Sequence, residues 1–249
     1  MWWLAHGEHE VPNIFDWLSP HELADLDSIR FTKRRNEFLT RRWTAKQAVA
    51  TVLELERSHA ALTRIEVGHH RSGAPYATLD GAPAEVDLSI SDRAGWAVCL
   101  IGPPGSAAAG TLGIDLELVE PRSDRFVADY FTAAERTFVR GLPGLRNHDE
   151  VVNAIWSAKE SALKVQQVGL RADTRTVEVE LDRHHAADGW APLTVTGKHG
   201  AMSGWWRRDG VFLLTIVFAE SAEPPKRLST GGDLKTATPI HSWVERPLS

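Results

Sequence analysis

The residues Gly113-Ile114-Asp115-Leu116-Glu117 form the first pattern in the chain that could do chemistry. Side chains alternate along a strand, so Asp115 and Glu117 fall on one face and Ile114 and Leu116 on the other. Two carboxylates side by side repel unless a cation or a base lies between them. Oxygen-only ligands suit Mg²⁺ or Mn²⁺ rather than zinc. A strand with a solvated acidic face would carry the same letters. Further along, Trp156-Ser157-Ala158-Lys159-Glu160-Ser161-Ala162-Leu163-Lys164 has helical spacing. Ile155, Ala158, Ala162 and Val165 make an apolar stripe, while Trp156, Glu160 and Lys164 line a different face. As an exposed pair, Glu160 and Lys164 would contribute about 0.2–0.5 kcal/mol. Aimed at a metal-bound diphosphate, Glu160 would meet the metal and Lys164 the phosphate oxygens.

The elements that must position these residues follow from hydrophobic period and turn chemistry. Ser19-Pro20 reads as an N-cap with proline at the first helical position. A helix is expected from Asn36 to Leu55, with Phe38, Ala45, Val49 and Val52 on one face. Strands are expected at Tyr76–Leu79, Val86–Ile90 and Gly95–Ile101, with a turn at Ser91-Asp92-Arg93-Ala94 before the last. Gly102 to Gly110 reads as a linker. Beyond it come a strand at Thr111–Leu118, helices at Thr132–Arg140 and Glu150–Gln167, and strands at Thr176–Leu181, Leu193–Thr196 and Val211–Phe218. From Ser221 the composition predicts a mobile tail, in which Ile240, Trp243 and Val244 are the residues that could dock.

The two halves echo each other. Phe31-Thr32 leads to Trp43-Thr44-Ala45-Lys46, and Phe131-Thr132 leads to Trp156-Ser157-Ala158-Lys159. This alignment requires extra residues, Gly141 to Asn153, in the second copy. The expected fold is α+β, two similar lobes related by a pseudo-twofold, each a small antiparallel sheet packed with a long helix. Residues 1–108 form the first lobe, 109–220 the second and 221–249 the tail. A ligand cleft is expected between the lobes.

Composition narrows the class. The chain has 249 residues, 43% hydrophobic and 24% charged, ordinary for a globular protein. No apolar run approaches the roughly 20 residues that span a bilayer, and the N-terminus lacks a secretory pattern. The single cysteine, Cys99, excludes an intrachain disulfide framework. These features point to a cytoplasmic, membrane-independent protein. The net charge of −5 argues against nucleic-acid binding. Against that acidic background, Arg30, Lys33, Arg34, Arg35, Arg41, Arg42 and Lys46 cluster with Glu37 as the only acid. That fits either an anionic ligand or a solvated helix face.

Taken together, GIDLE and WSAKESALK resemble the 4′-phosphopantetheinyl transferases of the surfactin-synthetase type. Arg34-Arg35-Asn36-Glu37-Phe38-Leu39-Thr40-Arg41-Arg42 is similar to that family's basic first-lobe helix. Ser72-Gly73-Ala74-Pro75 is similar to its G-[KR]-P turn, Tyr130-Phe131-Thr132-Ala133-Ala134-Glu135 to its F-F-x-x-x-E segment, and Gly169-Leu170 to its G-L turn. The resemblance implies Mg²⁺-dependent transfer of phosphopantetheine from coenzyme A to a serine of an apo acyl or peptidyl carrier protein, by a monomer. By motif match, Asp115, Glu117 and Glu160 would hold Mg²⁺, with Mn²⁺ as a substitute. Lys159 and Lys164 would supply fixed positive charge to coenzyme A phosphates. Glu135, or Glu160 through a water, would serve as base. Arg34, Arg35, Arg42 and Arg71 are candidates for the 3′-phosphate, and Gly73 for close approach to adenine. Ser91-Asp92-Arg93 stands where the family has a histidine, so Arg93 is the candidate replacement donor beside Ser91. Rival readings are a non-catalytic coenzyme A or carrier-binding module and a magnesium-dependent phosphohydrolase.

Overall fold

The structure, a computed structural model, describes residues 1–103, 112–142, 144–167, 172–186, 188–198 and 200–240. Gly169-Leu170 and most of the expected linker lie outside them. The chain divides into two units. One holds Met1–Ala109 with Pro225–Asp233 and Ala237–Ser249, and the other holds Gly110–Pro224 with Leu234–Thr236. The architecture is α+β.

In the first unit, β1 (Trp2–Gly7) precedes helices α1 (Pro20–Ser28), α2 (Thr32–Val52) and α3 (His59–Thr63). Strands β2 (Ile65–His69), β3 (Pro75–Leu79), β4 (Ala82–Pro83), β5 (Asp87–Arg93) and β6 (Trp96–Gly102) follow. The strands β2-β3-β4 form one sheet; Lys226–Arg227, β1, β6 and β5 form another in that order. Helix α2 lies on β6 and β1, burying Phe38, Ala45, Ala48 and Val49. It starts four residues before the sequence reading, because its first turn is basic and exposed and so carries no apolar period. The β5–β6 turn also corrects the reading. Ser91, Asp92 and Arg93 lie on β5, and the turn is Ala94-Gly95, both with positive φ (51° and 79°), as a two-residue hairpin of right-handed twist requires.

The expected tail is corrected for its described part, which ends at Ile240 and leaves Trp243 and Val244 outside. Residues 226–227 pair parallel to β1, Gly232 N–H donates to Ala5 O at 2.7 Å and Ile240 N–H to Ala94 O at 2.8 Å. A polar composition conceals this because the segment docks through backbone hydrogen bonds and a few scattered apolar residues, Leu228, Leu234 and Ile240, that follow no period.

The second unit contains β7 (Leu112–Leu118), α4 (Asp124–Tyr130), α5 (Ala133–Arg140) and α6 (Leu145–Val165). Strands β8 (Val177–Leu181), β9 (Ala191–Gly197), β10 (Gly200–Asp209) and β11 (Phe212–Phe218) complete it. The five strands run β7-β11-β10-β9-β8, each neighbouring pair antiparallel. Helix α6 lies on β7 and β11, and Ile155, Ala158, Ala162 and Val165 enter the core as their spacing predicts.

The internal echo is present in a different register. The partner of Phe131-Thr132 is Leu18-Ser19: Leu18 and Phe131 are each 1% exposed, whereas Phe31 is 71% exposed. Ser19 and Thr132 each cap a helix in a reciprocal capping box, with Glu22 and Glu135 three residues on. The same interval, 24 positions, separates Glu22 from Lys46 and Glu135 from Lys159. The second copy therefore has no insertion between these points. In both units the lysine is fully buried against the glutamate. Each glutamate also accepts a strand amide, Val67 N–H at 3.1 Å or Val179 N–H at 2.8 Å. Each cap hydroxyl donates to a further glutamate, Glu66 or Glu178.

Gly113 sets the approach of β7 to α6. A Cβ there would overlap the carbonyl oxygen of Ser161, backbone that cannot swing aside. Gly113→Ala should therefore cost about 1–3 kcal/mol through overpacking, read as a lowered denaturation midpoint. An unchanged midpoint would mean that β7 and α6 are not in this contact.

Candidate active site

Strand β7 is buried along its length, and its two carboxylates meet α6 rather than solvent. On α6, Asn153, Trp156, Ser157, Glu160, Ser161 and Lys164 recur at three- and four-residue spacing and form one polar stripe. Ser157 Oγ donates to Asp115 Oδ2 at 2.8 Å, and Lys164 Nζ meets Asp115 Oδ1 at 3.0 Å and Ile114 O at 2.6 Å. Thr215 faces Asp115 across the β7–β11 pair. Its hydroxyl lies 2.8 Å from both Ser157 Oγ and Ser161 Oγ. This buried hydroxyl ladder holds the Asp115 side chain from beneath.

Glu117 is held from two sides. Trp156 Nε1 donates to its Oε1 at 3.0 Å, and Arg122 Nη2 to its Oε2 at 3.1 Å. Arg122 Nε also donates to Asn153 Oδ1 at 2.8 Å, and its guanidinium lies 4.9 Å from the Phe126 ring centroid. Phe126 and Tyr130 each pack edge to face on Trp156 and are tilted against each other around this corner. Arg122 and Asn153 escape a motif reading because Arg122 sits in a loop, where no period marks it. Asn153 and Ser157 were legible in principle, as members of the α6 polar stripe.

Glu160 lies within electrostatic reach of both strand acids. Burial chiefly, then the Asp115 charge, and more weakly Glu117, raise its carboxyl from 4.5 to about 7, with Lys164 and Arg122 opposing. Lys164 thus turns to Asp115 for its ion pair instead of forming an isolated surface pair with Glu160. Among the described residues, no group of three His, Cys, Asp or Glu side chains forms a ready metal cluster. The donor chemistry still fits a hard divalent cation. Magnesium needs only one or two carboxylates, completing its shell with phosphate oxygens and waters, and Asp115 and Glu117 offer oxygen alone.

Two expected catalytic residues belong to the fold instead. Lys159 is fully buried, and its ammonium is satisfied by Glu135 Oε2 at 2.9 Å, Thr174 O at 3.0 Å and Val177 O at 2.6 Å. Burial lowers its pKa, the Glu135 charge opposing. Glu135 is 2% exposed, and its other contacts are the Thr132 and Val179 amides. Neither can reach a substrate, so Lys159 is no phosphate ligand and Glu135 no general base.

The candidates for an anionic ligand in the first unit separate in the same way. Arg34 is exposed and, with Ser28, Ile29, Arg30, Phe31, Glu37 and Arg41, lines a cavity of about 670 Å³. Asp92 accepts from Arg41 Nη1 at 2.8 Å, so this aspartate orients an arginine of that cavity. Arg35 instead donates to the carbonyls of Leu26 and Ile29, tying α1 to α2. Arg42 is buried beside Glu22 and over Phe38. Both arginines are structural. Arg71 is exposed in the β2–β3 turn, where Gly73 takes φ 93° with open space around it; that turn by itself requires the glycine. Ser91 and Arg93 are half-buried on β5.

Residues 111–201 match the model of the 4′-phosphopantetheinyl transferase superfamily, a span that includes Asp115, Glu117, Arg122, Glu160 and Lys164. Among solved structures, a holo-(acyl-carrier-protein) synthase from Bacillus anthracis str. Ames in complex with CoA (3′,5′-ADP) is similar at 24% identity, with a TM-score of 0.36, over 45% of this chain and 97% of that one. No curated protein matches the chain.

Two outcomes follow from these placements. Glu135→Ala should destabilise by about 3–5 kcal/mol by stranding the Lys159 charge, and the Glu135→Leu/Lys159→Met pair by much less; equal losses in denaturant titrations would contradict a buried pair. For Glu160, the folded chain keeps a proton between 4.5 and about 7 that the unfolded chain has released, so stability falls as pH rises through that window. Glu160→Gln should flatten this slope and melt above wild type at about pH 8; an unaltered slope would relieve Glu160 of that role.

Proposed function

We propose that the protein transfers the phosphopantetheine arm of coenzyme A to a serine of an apo carrier protein. The observation that carries this reading is the α6 polar stripe set against β7, inside the segment similar to the transferase superfamily. Lys164 meets Asp115 on this strand–helix pair, Trp156 meets Glu117, and Glu160 lies within electrostatic reach of both acids. Asp115 and Glu117 are the residues that would hold a magnesium ion, whose contribution when bound is to offset diphosphate charge. Lys164 adds fixed positive charge at the same place. Glu160, with its carboxyl near neutrality, is suited to take the serine proton, a task that Glu135 cannot share. The serine oxygen attacks the β-phosphorus, the bond to the adenosine-bearing phosphate breaks, and adenosine 3′,5′-bisphosphate leaves with the displaced oxygen.

The arginine-lined cavity of Arg30, Arg34 and Arg41 has the charge that a nucleotide 3′-phosphate requires, since a guanidinium meets phosphate through two donors. The surfactin-synthetase-type pattern extends to this basic helix, and with it the preference for acyl or peptidyl carriers and a monomeric state.

Incubation with apo carrier, coenzyme A and Mg²⁺ should add one phosphopantetheine to the carrier, read by intact mass. EDTA or Asp115→Ala should reduce the rate by at least about a hundredfold. Release of free phosphopantetheine without carrier modification would identify a phosphohydrolase instead, and an unchanged mass across several carriers would defeat the transfer reading.

A further inference from the structure

The second unit has an acidic corner in which one arginine serves two carboxylates. Arg122 Nη2 lies 3.1 Å from Glu117 Oε2 and 3.4 Å from Glu120 Oε1, while its Nε is fixed on Asn153 of α6. The side chains of Glu117, Glu120 and Arg122 are only 12%, 10% and 17% exposed, so water screens their interaction weakly. Asn153 is in turn locked, its amide donating to Glu120 O at 2.7 Å and Asp149 O at 2.8 Å. The planar fork therefore has one orientation, and that orientation restrains one oxygen of Glu117. Trp156 restrains the other.

We propose that Arg122 is the positioning residue of the acidic strand. It holds the Glu117 carboxylate in a single rotamer, and its charge competes with a divalent cation for that carboxylate. The competition has a consequence for affinity. Removing Arg122 leaves Glu117 and Glu120 without their shared counter-charge, so the corner attracts a cation more strongly while holding Glu117 less well. Removing the charge of Glu120 does the reverse, leaving Arg122 wholly to Glu117. Affinity and turnover thus move in opposite directions at Arg122, which loss of structure cannot produce. The inference rests on the transferase reading for the identity of the reaction, but its binding arm is independent of turnover.

The test is Mn²⁺ titration of the full chain without coenzyme A, followed by electron paramagnetic resonance of free Mn²⁺, alongside carrier modification. Arg122→Ala and Arg122→Gln should each bind Mn²⁺ about tenfold more tightly and lower kcat more than they change KM. Arg122→Lys should keep wild-type Mn²⁺ affinity, since the charge remains, yet transfer more slowly because the fork is lost. Glu120→Gln, which leaves the fork in place, should weaken Mn²⁺ binding. Weaker or equal Mn²⁺ binding by both charge-removing Arg122 variants, with wild type binding and transferring, would overturn the role of Arg122 and leave the transferase reading intact. Wild type that neither binds Mn²⁺ nor modifies a carrier would overturn both.

Discussion

An ammonium group without access to water must be paired and fully hydrogen-bonded, or the fold that encloses it is strongly destabilised. Lys46 and Lys159 impose that condition once in each unit. Each is 0% exposed, and each is met by a glutamate that already closes a helix capping box and accepts a strand amide. One carboxylate thus ties a helix start, the long helix and a strand together. The aromatic neighbours agree as well: the Lys46 and Lys159 ammonium groups lie 5.7 and 6.0 Å from the ring centroids of Trp17 and Phe131. A repeated polar knot of this kind specifies register, because a shift of one residue in either helix would leave a buried charge unpaired.

That knot also explains how the polar stripe of α6 is aimed. Lys159 points away from the stripe and anchors the helix to the start of β8. Its sequence neighbours Ser157, Glu160 and Ser161 face β7 and β11. The anchored helix can then press against β7 at Gly113, where only a hydrogen fits. Distances near 3 Å between Asp115, Ser157 and Lys164 follow from that approach. The residue that looks most catalytic by motif is the one that holds the others in place.

Charge balance at the acidic strand follows the same logic. Asp115 is offset by Lys164 and Glu117 by Arg122, while Glu160 shares the corner and keeps its proton to about pH 7. Two side-chain cations, Lys164 and Arg122, thus offset two of the three acids along this strand–helix contact.

Local chemistry was legible where it depends on local rules. The D-x-E alternation, the α6 period and the Ser19-Pro20 cap could be read directly, because strand, helix and capping geometry are set within a few residues. The register of the repeat was misread: Phe31-Thr32 mimics Phe131-Thr132 in letters, yet Phe31 is exposed and Leu18-Ser19 takes the buried place. Arg122 and the strand at 226–227 were invisible, since a loop cation and a backbone-only pairing leave no period. The sequence by itself determined which side chains could carry acid, base and cation chemistry. Only the tertiary structure decided that Glu135, Lys159, Arg35 and Arg42 are spent inside the fold, that Asp115, Glu117 and Lys164 meet along one strand–helix contact, and that Arg34 is exposed. The physical reason is that a charged group's role depends on which partners surround it and how far water is excluded, and both are properties of packing.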